Sequence, residues 1–297
     1  MKILVTGSNG QLGQELATEL RPLGELLLVD IQELDITNAE QVNRAVADFK
    51  PALIVNTAAY TAVDRAEEEK ELAMTVNGKA PGILAHAAKK NGAGFIHYST
   101  DYVFDGTKNS PYTEDDTPCP INWYGETKLA GERAVMKSGA PYLIFRTSWL
   151  YGTTGNNFML TMLRLFNERD EIKIVADQRG TPTWSRVVAQ TTAEIVKKLH
   201  EGAEFKSSLE QVSGLYHLTC EGQTTWHGFT TAIMENVKTT GVDNLPKLIP
   251  VQTSEYKTPA KRPLNSTLSL EKVKRTFGVE IPDWRDALNL CMKKVEL

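Results

Sequence analysis

One tyrosine of the sequence has a lysine at a spacing that acid–base chemistry could use. Tyr124 and Lys128 are four residues apart in a segment with helical spacing, so both side chains lie on one face of the predicted helix. A nearby ammonium group favours the phenolate, and we expect Lys128 to lower the pKa of Tyr124. Thr100 lies just beyond the apolar segment 95–98, where its hydroxyl could meet the same substrate oxygen. These three side chains predict the reduction of a ketone, with Tyr124 as the proton donor.

The start of the chain carries a glycine pattern that could bind a phosphate. Gly7, Gly10 and Gly13 lie between an apolar segment and a helical one, with the spacing Gly-x-x-Gly-x-x-Gly. Glycines there let the backbone turn sharply and approach a pyrophosphate at the positive helix N-terminus. Asp30 ends the next apolar segment, where a carboxylate can bind the adenosine ribose and would repel a 2′-phosphate. A plain tight turn would also need glycines, but the two features together predict a dinucleotide site.

Short apolar segments alternate with helical ones in the first half of the chain. We predict strands at 2–6, 26–29, 52–55, 95–98 and 142–145, and helices at 11–20, 39–49, 71–90 and 124–137. Almost wholly apolar strands that alternate with helices are typical of a parallel sheet covered on both faces. The sequence therefore predicts an α/β fold with a doubly wound parallel sheet of the Rossmann type. Ligands bind beyond the carboxyl ends of such strands, which is where Thr100 lies.

The alternation loosens after about residue 151. Polar loops there separate helical segments near 187–200, 226–237 and 284–294. We therefore predict a dinucleotide-binding Rossmann domain at 1–150 that carries the catalytic residues. Residues 151–297 are predicted to form a smaller substrate-binding lobe, interleaved with the first domain.

The composition narrows the class of protein and of partner. The 297 residues have a net charge of −4 without a basic block, which argues against nucleic acid or an anionic membrane as the main partner. No apolar stretch has the length that spans a bilayer, and no signal peptide precedes the first strand. Three cysteines, without metal-like spacing, suit a reducing compartment, so we expect a cytoplasmic protein.

Three further side chains have both a structural and a functional interpretation. His97 lies within a predicted strand and His217 within the apolar segment 215–218, so we interpret both as packed residues rather than ligands. Trp149 follows the last predicted strand of the first half. It could be a core aromatic residue or a platform for a sugar nucleotide.

Several longer motifs accompany the glycine loop and the Tyr-x-x-x-Lys pair. They are Ala58-Ala59-Tyr60-Thr61-Ala62-Val63-Asp64, Ser99-Thr100-Asp101-Tyr102-Val103-Phe104-Asp105-Gly106, Tyr124-Gly125-Glu126-Thr127-Lys128, Arg146-Thr147-Ser148-Trp149, Asp177-Gln178-Arg179-Gly180-Thr181-Pro182-Thr183 and Arg262-Pro263. Together they resemble the extended short-chain dehydrogenase/reductase superfamily and, within it, the dTDP-4-dehydrorhamnose reductase family. The resemblance runs from residue 3 to about residue 285.

The resemblance implies an activity and a set of site residues. The activity is the NADPH- or NADH-dependent reduction of the C4 ketone of dTDP-4-dehydro-L-rhamnose to dTDP-L-rhamnose. The implied catalytic residues are Thr100, Tyr124 and Lys128. The expected cofactor contacts are Gly7, Gly10, Gln11, Leu12, Gly13, Asp30, Asp35, Ile36, Ala59, Tyr60, Thr61, Tyr98, Tyr124 and Lys128. The expected contacts to the dTDP-sugar are Thr100, Asp101, Tyr124, Lys128 and Trp149.

One departure from the family concerns a metal ion. Some relatives dimerise through magnesium held by glutamates, one of them in the first helix, and Glu15 matches that position. The second glutamate is expected just after the Gly-x-Pro-Thr motif, where this chain has Trp184-Ser185-Arg186. The ion site is incomplete, so a magnesium-bridged dimer is doubtful and we expect a monomer or a different homodimer.

Two alternatives to the reductase remain open at the level of sequence. A sugar-nucleotide epimerase or 4,6-dehydratase would use the same scaffold, but dehydratases have an acid–base pair after the threonine, and here Tyr102 follows Asp101. A non-enzymatic regulatory subunit of methionine adenosyltransferase belongs to the same branch. The intact set of Thr100, Tyr124 and Lys128 argues against it.

Overall fold

The computed structural model describes residues 1–201, 204–242 and 244–295. Its strands are β1 (Lys2–Thr6), β2 (Glu25–Val29), β3 (Leu53–Asn56), β4 (Gly94–Thr100), β5 (Tyr142–Thr147), β6 (Leu150–Tyr151), β7 (Glu171–Val175), β8 (Arg179–Gly180), β9 (Thr183–Trp184), β10 (Gly214–His217), β11 (Thr224–Thr225) and β12 (Lys247–Val251). Its α-helices are α1 (Gln11–Leu20), α2 (Ala39–Phe49), α3 (Lys70–Ala73), α4 (Ala80–Lys90), α5 (Trp123–Lys137), α6 (Phe158–Glu168), α7 (Ser185–His200), α8 (Phe205–Gln211), α9 (Trp226–Lys238), α10 (Glu271–Phe277) and α11 (Trp284–Met292).

Six parallel strands form the central sheet, in the spatial order β2-β1-β3-β4-β5-β10. Alternate side chains of each strand point to opposite faces, as the period of a strand requires. Ile3 and Val5 join the core that contains α1 and α7, whereas Leu4 joins the core that contains α2 and α4. The doubly wound α/β fold predicted from the sequence is confirmed.

The second half of the chain contributes a strand to the central sheet and also forms two-stranded sheets outside it. Strand β10 pairs with β5, and α7 packs on α1. Strands β7 and β12 pair with each other, apart from the central sheet. The division into domains at residues 1–150 and 151–297 stays a prediction, because the sheet itself takes a strand from beyond residue 151.

The single helix predicted at 71–90 is wrong in its middle. A π-helical segment, Met74–Lys79, separates α3 from α4. The Asn77 side chain accepts a hydrogen bond from the Tyr60 N–H and donates to the Tyr60 carbonyl and the Thr127 hydroxyl. Gly131 of α5 lies against this segment so closely that a Cβ would be 2.2 Å from the Asn77 carbonyl oxygen. These long-range contacts favour the wider turn, and they have no local sequence signal.

Among the described helices, none combines the length and the apolar character that crossing a membrane would require.

Candidate active site

A cleft with a volume of about 890 Å³ lies beyond the carboxyl ends of the central strands. Gly7 follows β1, Asp30 follows β2, Thr57 follows β3, Thr100 ends β4 and Trp149 lies just after β5; all five line the cleft. The strand order reverses between β1 and β3, and such a switch point is where open parallel sheets bind their ligands.

Every residue that the sequence predicted for the site lines this cleft. They are Gly7, Gly10, Gln11, Leu12, Gly13, Asp30, Asp35, Ile36, Ala59, Tyr60, Thr61, Tyr98, Thr100, Asp101, Tyr124, Lys128 and Trp149. The structure thus brings the predicted set together, while the individual roles stay predictions.

The glycine loop has the geometry of a phosphate cradle. Gly7 has a φ of 69°, and a Cβ there would be 2.6 Å from the Ala58 nitrogen. A Cβ on Gly13 would be 2.2 Å from the Gly7 carbonyl oxygen, so only glycine lets α1 pack this close to the loop. Gly10 is the N-cap of α1 and has no side chain to cap the first turn. The backbone N–H groups at this helix start could therefore bind a pyrophosphate.

Asp30 links the glycine loop to the end of β2. One carboxylate oxygen accepts a hydrogen bond from the Asn9 N–H at 3.0 Å, and the other accepts from the Ile31 N–H at 2.8 Å. Among the described residues that line the cleft, Lys128 is the only lysine or arginine. The cleft therefore places carboxylates rather than cations where an adenosine ribose would lie.

Thr100, Tyr124 and Lys128 come together from β4 and α5. The Thr100 and Tyr124 side chains both line the cleft, and the Thr100 hydroxyl donates a hydrogen bond to the Asp101 carboxylate at 3.0 Å. The Lys128 ammonium donates a hydrogen bond to the Tyr98 carbonyl oxygen at 2.6 Å. All three side chains line the cleft; Thr100 and Lys128 are buried, and Tyr124 is half-buried. The arrangement can present two hydroxyl groups to one substrate oxygen.

The start of α5 is fixed by contacts that set the position of Tyr124. Asn122 is the N-cap, and its side-chain oxygen accepts a hydrogen bond from the Gly125 N–H at 2.8 Å. A Cβ on Gly125 would be 2.2 Å from the Tyr102 carbonyl oxygen, so glycine lets α5 approach the segment after β4. The Asn122 amide also donates to the Lys261 carbonyl oxygen at 2.8 Å, which ties α5 to the segment between β12 and α10.

The electrostatics of the site differ from the sequence prediction. Burial raises the pKa of Tyr124, the Asp101 carboxylate raises it further, and only the Thr100 hydroxyl lowers it. The predicted lowering of this pKa by Lys128 is therefore wrong, because desolvation of the phenolate dominates. Burial also lowers the pKa of Lys128 to about 8, opposed by the Glu132 carboxylate. Tyr124 thus holds its proton at neutral pH, as a proton donor must.

Asp101 is a buried carboxyl group next to Thr100. Burial raises its pKa to about 7, while the nearby hydroxyls of Ser266 and Thr100 lower it. One oxygen accepts from the Thr100 hydroxyl at 3.0 Å, and the other is buried without a partner in the described structure.

A buried ion pair lies one turn beyond Lys128, and sequence reasoning missed it. The Glu132 carboxylate accepts two hydrogen bonds from Arg146, at 2.8 and 2.7 Å. It also accepts one from the Ser99 hydroxyl at 2.5 Å. Both charged side chains are almost completely buried. The pair fixes α5 to β4 and β5 beside Thr100. The available sequence signal was the spacing of four residues between Lys128 and Glu132, which places both side chains on one face of the helix.

Two other parts of the cleft wall were also missed. Residues 154–156, in the loop before α6, line the cleft, and Gln11 accepts a hydrogen bond from the Asn157 amide at 3.0 Å. Trp226, the first residue of α9, lies against Trp149. These residues are distant in sequence from the motifs, so only the fold reveals them.

The two histidines interpreted as packed residues are buried. His97 lies 3.1 Å from the Asn56 amide, and His217 packs against Phe104. Burial lowers the pKa of His217 to about 3, helped by the Arg146 charge. Neither histidine lines the cleft.

The residues around Glu15 do not fit a magnesium ion. The Glu15 carboxylate accepts a hydrogen bond from Arg186 Nε at 2.8 Å, so a guanidinium takes the position beside it. A cation that already neutralises the carboxylate leaves no reason for a metal to bind there, and magnesium requires oxygen ligands that an arginine cannot supply.

Comparisons with known proteins show the family of this chain. The family model described as RmlD substrate binding domain matches residues 1–297. A dTDP-4-dehydrorhamnose reductase of Burkholderia thailandensis is 50% identical over 296 residues, which cover 99% of this chain and 98% of that protein.

Solved structures of the same kind of enzyme also match over their full length. A dTDP-4-dehydrorhamnose reductase from Clostridium acetobutylicum is 40% identical with a TM-score of 0.89, covering 99% of both chains. One from Bacillus anthracis, in complex with NADP, is 36% identical with a TM-score of 0.89, also covering 99% of both chains. The chain therefore belongs to the RmlD substrate binding domain family, the family of the dTDP-4-dehydrorhamnose reductases.

Proposed function

We propose that this protein reduces the C4 ketone of dTDP-4-dehydro-L-rhamnose to dTDP-L-rhamnose with NADPH or NADH. The observation that carries the proposal is the meeting of Thr100, Tyr124 and Lys128 in the cleft that also contains the glycine loop. The high identity to reductases named for this reaction supports the choice of substrate.

The reaction adds a hydride to the C4 carbon and a proton to its oxygen. A bound nicotinamide dinucleotide supplies the hydride. The Tyr124 hydroxyl donates the proton, and its raised pKa keeps it protonated until the oxygen becomes basic. We assign the Lys128 ammonium to the nicotinamide ribose, and its pKa of about 8 leaves it mostly charged at neutral pH. The Thr100 hydroxyl donates a hydrogen bond to the same oxygen and orients it.

The remaining predicted residues divide between the two ligands. We assign the pyrophosphate to the loop of Gly7, Gly10 and Gly13, and the adenosine ribose to Asp30. Asp101 and Trp149 contact the sugar nucleotide on the other side of the nicotinamide. The position of Asp101 in the cleft wall, beside Thr100, supports its assignment. The three unpaired cysteines suit the cytoplasm, where we place the reaction.

The competing functions make different demands on the site. An epimerase or dehydratase returns the hydride to the substrate within one cycle, so no cofactor is consumed. In the segment after Thr100, Asp101 is followed by Tyr102, which packs edge-on against Tyr124 and is no second carboxylate. A regulatory subunit without activity would have no use for a buried phenol and ammonium, which cost stability to bury.

The test is the oxidation of NADPH or NADH with the dTDP-ketosugar as substrate. We expect Tyr124→Phe to lower kcat at least a hundredfold while cofactor binding survives, since general acid catalysis contributes about 10²–10⁴-fold. Tyr142→Phe is the matched control, because Tyr142 starts β5 at the opposite end of the sheet from the cleft. Wild-type turnover in the Tyr124→Phe variant would remove the assigned proton donor.

A further inference from the structure

Trp149 is held rigidly in a backbone conformation that tryptophan rarely adopts. Its φ is 44°, in the left-handed region. Its carbonyl oxygen accepts a hydrogen bond from the Thr183 N–H at 3.1 Å. Its indole packs against Gly180, where a Cβ would be 2.3 Å from the ring. Such backbone strain persists only where the surroundings impose it, and it concentrates at functional sites.

The face of this indole is covered by a second tryptophan. The rings of Trp149 and Trp226 are stacked, with centroids 3.5 Å apart and planes 8° from parallel. Trp226 also contacts Phe158, at 4.6 Å between centroids, and both tryptophans line the cleft while remaining partly exposed. A ring inserted between them would need about 3.5–4.0 Å on each side, roughly twice the present gap. No ligand can therefore stack on that face of Trp149 while Trp226 covers it.

We propose that Trp226 is a gate for the sugar nucleotide: it covers Trp149 in the free enzyme and leaves that ring when the ligand binds. The inference rests on the proposed function and extends it to a residue that the sequence motifs do not contain. Trp149 is the fixed member of the pair, because its backbone strain, its hydrogen bond to Thr183 and its contact with Gly180 define one position.

Trp226 is the member that can move. It is the first residue of α9, and its indole packs on the partly exposed Phe158 as well as on Trp149. Rotation of the side chain about its own bonds needs no change in the helix. A stacked aromatic pair contributes about 0.5–1.5 kcal/mol beyond its burial, so opening the gate should weaken ligand binding by roughly two- to twelvefold.

The pair provides its own spectroscopic readout, because two stacked indoles couple their electronic transitions and give a paired signal of opposite signs in circular dichroism. We expect this couplet in the wild-type protein and its loss in Trp149→Phe and in Trp226→Phe. Trp123→Phe is the control, since Trp123 packs on Lys70 rather than on another tryptophan. A couplet that survives both site substitutions would show that the two rings are not stacked in solution.

The decisive experiment titrates the wild-type protein with dTDP-L-rhamnose and NADP⁺. The couplet should disappear in proportion to the bound fraction measured by calorimetry, and NADP⁺ alone should leave it intact. In Trp226→Ala, the dissociation constant for dTDP-L-rhamnose should fall by about two- to twelvefold, whereas Trp149→Ala should raise it. A couplet that persists at saturation, or weaker binding in Trp226→Ala, would overturn the gate.

These outcomes separate the gate from the proposed function. If the protein oxidises reduced cofactor with the ketosugar and binds the product while the couplet persists, only the gate is wrong. If it neither binds dTDP-L-rhamnose nor consumes cofactor, the proposed function fails and the gate fails with it.

Discussion

Replacing Glu132 by glutamine would break a buried ion pair without changing the shape of the side chain. Glu132 accepts two hydrogen bonds from Arg146, and the side chains are 1% and 3% exposed respectively. In the variant, the Arg146 guanidinium stays buried without its counter-charge, and one of its nitrogens already has no partner in the described structure. The folded state therefore loses the charge compensation that burial requires.

The expected loss can be worked from the burial. Removing one partner of a buried pair costs about 3–5 kcal/mol. At about 2.1 cal/mol/K per residue, unfolding 297 residues has an entropy of roughly 0.6 kcal/mol/K, so the melting temperature should fall by about 5–8 °C. Substituting both partners, as Glu132→Leu with Arg146→Met, should recover much of this loss because no charge stays buried.

The measurement is calorimetric unfolding of the wild type and the variants. Glu168→Gln is the matched control, because it removes the carboxylate of an exposed pair, Arg164–Glu168 at 2.6 Å. Exposed pairs contribute about 0–1 kcal/mol, so its melting temperature should fall by no more than about 2 °C. If Glu132→Gln loses no more than Glu168→Gln, the buried pair does not stabilise the site as we argue.

Three further predictions concern the cofactor and the pH dependence. Asp30→Ala should shift the ratio of the kcat/KM values for NADPH and NADH towards NADPH by roughly tenfold or more. The Asp30 carboxylate would repel a 2′-phosphate by about 1 kcal/mol per pair of unit charges at 4 Å in water, and the substitution removes this repulsion. An unchanged ratio would place the ribose elsewhere. The kcat/KM for the ketosugar should be retained below the Lys128 pKa of about 8 and fall as the pH rises through it, because the ammonium is lost. Glu132→Gln should move this fall to lower pH, and a profile that stays flat well above pH 8 would contradict the role of Lys128. Gly13→Ala should weaken cofactor binding at least about tenfold, since the alanine Cβ would be 2.2 Å from the Gly7 carbonyl oxygen. Calorimetric titration with NADPH measures this affinity, and an unchanged value would mean that the loop relaxes freely.

The sheet and the meeting of Thr100, Tyr124 and Lys128 in one cleft could be predicted because their signals are local. The alternation of apolar strands and helices is a property of short segments, and helix α1 runs over Gln11–Leu20 as predicted. Tyr124 and Lys128 share a helix face whatever lies around them. Their common location with Thr100 follows from the rule that ligands bind at the carboxyl ends of parallel strands.

The parts that escaped prediction depend on contacts between distant segments. The stack of Trp149 on Trp226 joins residues that are distant in sequence, and the ion pair of Glu132 with Arg146 joins a helix to a strand. The pKa of Tyr124 was predicted from its neighbour on the helix, whereas burial by the whole site controls it. Desolvation depends on everything that surrounds a group, so spacing along a helix cannot reveal it.

The central claim is that a hydride leaves a bound nicotinamide and stays on the sugar as Tyr124 protonates its oxygen. The most direct test supplies NADPH or NADH deuterated at the transferred position and measures product mass and cofactor absorbance together. The account predicts one deuterium at C4 of dTDP-L-rhamnose for each cofactor oxidised. Product without deuterium, formed with no loss of reduced cofactor, would contradict it.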